Sequence, residues 1–150
     1  MFLLMVFLAD AQSKKEIKKL KIKSVSSFNV EGNTLKKDEL QKFNSDGNTI
    51  EKTEFTSEGK EKSKTTYKYN QENDLIEENE YDASGKLLSK ITINYNSFNE
   101  KSEEKTTDSK GNLLKRCEYS YDKNGLRTEK KVFDGTGKLI SSKKYTYEFK

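Results

Sequence analysis

Tyr121-Asp122-Lys123-Asn124-Gly125 and, twelve residues on, Phe133-Asp134-Gly135-Thr136-Gly137 are copies of one phrase: an aromatic, Asp or Asn, two variable residues, then Gly or Asn. Asp or Asn at the second position caps a type I turn with its own side chain. Gly at the end supplies the positive φ that closes a G1 bulge and matches the twist of a hairpin. The phrase therefore predicts a hairpin turn between two strands.

Working outward, the phrase occurs nine times, beginning at Phe28, Phe43, Phe55, Tyr69, Tyr81, Tyr95, Thr107, Tyr121 and Phe133, with Thr56 in place of Asp or Asn in one copy and Thr107 in place of the aromatic in another. Two copies end in Asn73 and Asn99 instead of Gly. Asn is the non-glycine residue that best tolerates the left-handed region, so both departures support the turn reading. From Phe43 onward the starts alternate 12 and 14 residues apart, which makes the true period 26 residues, one pair of strands. The expected fold is all-β: a single-layer antiparallel meander of about ten strands, open and twisted or rolled toward a barrel. Residues 1–11 read as a signal-peptide remnant and 12–27 as an N-terminal segment with one strand drawn from Ile17, Leu20, Ile22 and Val25. Residues 28–150 read as the tandem hairpin domain.

Pairing across such turns sets Tyr121 opposite Arg127, Tyr119 opposite Glu129, Phe133 opposite Leu139 and Arg127 opposite Tyr145. One face then collects Leu113, Cys117, Tyr119, Tyr121, Phe133, Leu139, Tyr145, Tyr147 and Phe149. The rows Tyr119, Tyr121, Tyr145 and Tyr147, with Arg127 among them, form the candidate binding surface, since Tyr and Arg are enriched at binding hot spots. In a rolled sheet the same residues would be core; in an open one they stay partly exposed.

Only 31% of the chain is hydrophobic and 36% is charged, so a thin core with large solvated faces is expected. Lys and Arg total 29 against 25 acids, interleaved along the chain apart from the basic stretch Lys14 to Lys23. Nucleic-acid binders concentrate such charge, and Arg116 and Arg127 are the only arginines, so no nucleic-acid partner is expected. The apolar run from Met1 to Ala11 ends in Ala9-Asp10-Ala11, the pattern of a signal-peptide h-region and cleavage site. It is too short to span a bilayer. The expected location is secreted, periplasmic or outer envelope. Cys117 is the single cysteine, which excludes an intramolecular disulfide and fits a buried thiol.

The phrase Tyr81-Asp82-Ala83-Ser84-Gly85-Lys86-Leu87, echoed from Phe133 to Leu139, resembles the YD repeats of Rhs-type proteins. The likeness covers roughly residues 43 to 150. It implies export and a wound β-sheet, which in that family forms a shell around a toxin or other cargo. The spacing here is shorter than in the family, the Arg that often follows the Gly is absent, and the chain is too short to enclose cargo.

There is no histidine, and hence no imidazole base or ligand. No Gly-rich phosphate loop or nucleophile elbow is present. The pairs Glu77-Glu78 and Glu103-Glu104 sit at adjacent strand positions, so their members point to opposite faces. The repeated aspartates are turn caps rather than calcium ligands. No catalytic, cofactor or metal residues are expected. The residues suggest a non-enzymatic binding or adhesion module facing an unknown protein or surface glycan, with self-association through sheet edges as a further contact. The alternative is a structural or accessory element of a larger YD-type toxin or secretion assembly.

Overall fold

Each turn phrase from Asn44 onward closes the same loop. In the copy at Asp122, the Gly125 N–H donates to the Asp122 carbonyl at 3.1 Å and the Asp122 N–H donates to Leu126 O at 2.9 Å. The Asp122 carboxylate accepts from the Asn124 and Leu126 N–H groups at 2.8 and 2.9 Å. Asn73 and Asn99 stand in the left-handed region with φ of 66° and 60°, as the turn requires.

The structure, a computed structural model, describes residues 13–150, and the expected signal-peptide remnant lies outside them. Ten strands follow a short helix. They are β1 (Ser24–Glu31), β2 (Thr34–Phe43), β3 (Thr49–Phe55), β4 (Glu61–Tyr69), β5 (Leu75–Asp82), β6 (Leu87–Tyr95), β7 (Lys101–Asp108), β8 (Leu113–Tyr121), β9 (Arg127–Asp134) and β10 (Leu139–Lys144). They pair antiparallel in sequence order as one sheet, which does not close: β1 and β10 are its two edges.

The first phrase behaves differently. Phe28 lies within β1 beside a register shift, and the chain reverses over the two-residue loop Gly32–Asn33, with Glu31 opposite Thr34. The strand expected from residues 12–27 therefore begins only at Ser24 and runs past residue 28. Upstream of it, Lys14–Leu20 form helix α1. Ser13 caps it: the Ser13 side chain accepts from the Glu16 N–H, and Glu16 Oε2 accepts from the Ser13 N–H at 2.9 Å.

Bulges correct the expected register. Tyr121 is opposite Arg127, but Ser120 is opposite Glu129, because Thr128 is an extra residue in β9. Tyr119 therefore faces Lys130, not Glu129. Tyr145 is likewise aligned with Thr128, to whose carbonyl its N–H donates at 3.0 Å, rather than with Arg127. Phe133 pairs with Arg116 and so leaves the face of Cys117 and Tyr119, whereas its pairing with Leu139 holds.

With one layer, little can be fully buried. Among the described residues, the buried apolar ones are Ile17, Ile93 and Cys117, the last 2% exposed. On the face of Cys117 the 26-residue period lines up Thr65, Ile91, Cys117 and Lys143, and beside them Tyr67, Ile93, Tyr119 and Tyr145. The opposite face is laced with ion pairs, among them Glu77 with Lys68 and Lys90, both at 2.7 Å, and Arg116 with Glu118 at 2.8 Å. No helix of the described residues is long and apolar enough to cross a membrane.

Candidate binding surface

On the Cys117 face, a tyrosine at or just beyond the end of a strand reaches back to the first residue of the strand before it. The hydroxyl of Tyr69 donates to Thr49 O at 2.8 Å, Tyr95 to Leu75 O at 2.9 Å, Tyr121 to Lys101 O at 2.8 Å, and Tyr147 to Arg127 O at 2.8 Å. Each bond spans twenty residues and recurs every 26. The ladder pins the ends of β4, β6 and β8, and the segment just after β10, to the first residue of the preceding strand. It was not foreseen from the sequence, although the tyrosines at 69, 95, 121 and 147 share the 26-residue spacing.

At the C-terminal end this ladder meets a cationic centre. The Arg127 guanidinium lies 4.7 Å from the Tyr119 ring centroid and 5.9 Å from that of Tyr121. A hydrogen bond from the guanidinium to the Tyr121 hydroxyl is the main influence holding Arg127 above its usual pKa; desolvation opposes it, and Tyr145 adds a second bond. No carboxylate pairs with Arg127 among the described residues, and its buried Nε has no hydrogen-bond partner. Lys130 and Lys101 approach the same Tyr119 ring at 5.7 and 5.8 Å, and Lys143 approaches Tyr145 at 5.4 Å. Burial, with Glu104 next, pushes the Tyr119 phenol above its ordinary value.

The structure thus brings Tyr119, Tyr121, Arg127 and Tyr145 together on one face, with Tyr147 bonded to the Arg127 backbone. Because the sheet stays open, nothing among the described residues packs over them. Tyr119, Tyr121, Arg127 and Tyr145 are half-buried, by one another and by neighbouring strands, and Tyr147 is 44% exposed. Phe149 is 79% exposed and adds no cover. Such a strip can stack on a flat apolar or sugar surface and offer guanidinium and phenol hydrogen bonds at its centre.

No protein-family model matches the chain, and no curated protein matches it. Among solved structures, it is similar to TarM at 17% identity and a TM-score of 0.33, over 84% of this chain and 22% of that one. S. aureus TarM in complex with Fondaparinux, alpha-GlcNAc-glycerol and UDP gives 16% identity and the same TM-score of 0.33 over the same shares. A porin-like protein from Bacteroides uniformis aligns at 14% identity and a TM-score of 0.37, over 78% of this chain and 74% of that one. The chain spans about a fifth of the length of TarM.

Proposed function

We propose that this chain is a non-enzymatic binding or adhesion module, exported to the cell envelope or beyond, that engages a protein or surface glycan through Tyr119, Tyr121, Arg127, Tyr145 and Tyr147. The observation that carries this reading is the Arg127 centre: a guanidinium set among tyrosines that has, among the described residues, neither a carboxylate partner nor a second layer over its face. Aromatic and Arg side chains in that arrangement supply large contact area at low entropic cost.

The experiment is attachment of the purified chain to glycan and cell-surface preparations, comparing wild type with Tyr145→Ala and Arg127→Ala. Tyr145 lies just beyond the edge strand, so its truncation should leave the melting temperature within a few degrees while attachment drops at least about ten-fold, the scale of one hot-spot residue. Attachment unchanged by both substitutions would sink the assignment. A second reading, a strand array within a larger YD-type assembly, is favoured by β10, whose outer side is unpaired. A neighbouring reading frame encoding a toxin or secretion component would support it.

A further inference from the structure

The end of α1 builds a second, separate concavity that does not depend on the aromatic strip. After Leu20 the chain turns through Lys21 at φ 54° and ψ 40°. Lys21 N–H donates to Lys18 O at 3.3 Å and Ile22 N–H to Ile17 O at 3.0 Å, the two bonds of a Schellman motif, which brings Ile17 and Ile22 together. Lys23 O then accepts from the Phe43 N–H at 2.9 Å, tying this segment to β2. The result is a cavity of about 710 Å³ with an apolar floor of Ile17, Ile22, Phe43 and Ile50. That volume falls within the range of about 300–1,000 Å³ typical of small-molecule sites.

Four lysines rim the cavity: Lys18, Lys21, Lys23 and Lys42. Two are neutralised, Lys18 by Asp46 at 2.9 Å and Lys42 by Glu51 at 2.8 Å. Lys21 and Lys23 have no acidic partner among the described residues. Moreover, Lys21 occupies a left-handed position that glycine would fill without strain, so a side chain is kept there at a conformational cost. We infer that this groove binds a single anionic amphiphile, a monomeric long-chain carboxylate, whose tail lies on the four apolar side chains while its head sits between Lys21 and Lys23. An uncharged floor under two uncompensated cations is complementary to that ligand and to neither a neutral lipid nor a cationic one.

The test titrates monomeric laurate onto the full chain by calorimetry, with decanoate, dodecyltrimethylammonium and phosphatidylglycerol vesicles as comparison probes. Saturable one-to-one binding of laurate is expected, weakening by up to about four-fold per methylene removed. The cationic probe with the same tail should not compete. Lys23→Glu should weaken laurate about ten-fold at unchanged melting temperature, the scale of exposed ion pairs turned to repulsion. Lys21→Gly is the sharper variant: it should raise the melting temperature while weakening laurate, a pairing that loss of folding cannot mimic. No saturable binding, equal binding of the cationic probe, or binding to vesicles alone would overturn the proposal. So would assembly into a dimer that blocks laurate, which would give the groove to a second copy.

Discussion

Adjacent strand residues point to opposite faces, so Glu77 and Glu78 ionise in different surroundings. Glu77 accepts from Asn79 Nδ2 at 2.8 Å and pairs with Lys68 and Lys90; the Asn79 bond leads these influences, which pull its pKa down to about 2. Glu78 is raised, first by burial and then by Glu104 and Glu80. With its folded value depressed, Glu77 contributes stability that is complete above about pH 4.5 and lost as pH falls toward 2. With its folded value raised, Glu78 opposes folding once ionised, so its contribution worsens as pH rises through the ordinary carboxylate value. Melting temperatures from pH 2 to 7 should show Glu77→Gln flattening the acid limb and Glu78→Gln gaining stability at pH 7 but not at pH 3. The opposite faces were legible in the sequence. The opposite shifts were not, because they depend on cross-strand neighbours such as Lys90 and Glu104. Turn chemistry is more local, and its prediction is firmer. Gly111 and Gly125 have φ of 85° and 77°, so Val at either should cost more than about 1 kcal/mol in urea unfolding. Asn99→Gly should be neutral or mildly stabilising.

At the scale of the element, the turn phrase placed the strands from β3 to β10 because each Asp or Asn cap acts on residues within four positions of itself. Register is another matter. The extra residue at Thr128 flips β9 relative to an unbulged pairing and carries Phe133 across the sheet, where it meets the Arg116 guanidinium at 4.5 Å. Helix α1 was missed, although Ser13-Lys14-Lys15-Glu16 is a capping box legible in the sequence. The apolar residues Ile17, Leu20 and Ile22 span too short a window to separate the helical period from that of a strand. The tyrosine ladder joins residues twenty apart, beyond the reach of any local rule. It is testable by removing hydroxyls alone. Tyr95→Phe and Tyr121→Phe should each cost about 1 kcal/mol in urea unfolding, the usual worth of one part-buried hydrogen bond. Phe43, at the equivalent place in the first hairpin pair, has no hydroxyl to lose; Gly47 nearby lets α1 dock instead, since a Cβ there would lie 2.6 Å from Lys14 O. Equal stability of the two Tyr→Phe variants and wild type would show that the ladder forms without contributing.

For the whole molecule, the strands follow in sequence order and each packs on its immediate neighbours, so the sheet behaves as a one-dimensional array. In such arrays stability approximates a sum of unit and nearest-neighbour terms. The period is therefore a physical unit that can be excised. Deleting residues 101–126 joins Glu100 to Arg127, and Arg127 then stands where Lys101 stood, opposite Tyr95. In the shortened sheet Ile91 faces Val132 in place of Thr106, and Tyr147 still reaches the Arg127 carbonyl. What is lost is one hydroxyl ladder bond, that of Tyr121, and the buried Cys117. This variant should remain soluble, keep a strand-dominated circular dichroism spectrum and unfold cooperatively at a somewhat lower urea midpoint. Deleting only 101–113 removes a single strand and reverses the direction of every strand after it, which puts Tyr121 and Tyr147 at the opposite end of the sheet from Tyr69 and Tyr95 and takes the Lys101 carbonyl from Tyr121. That variant should aggregate or lose its cooperative transition. If both deletions behaved alike, folded or unfolded, the 26-residue unit would be a feature of the sequence with no energetic meaning, and the sheet would be stabilised by contacts that cross between distant strands.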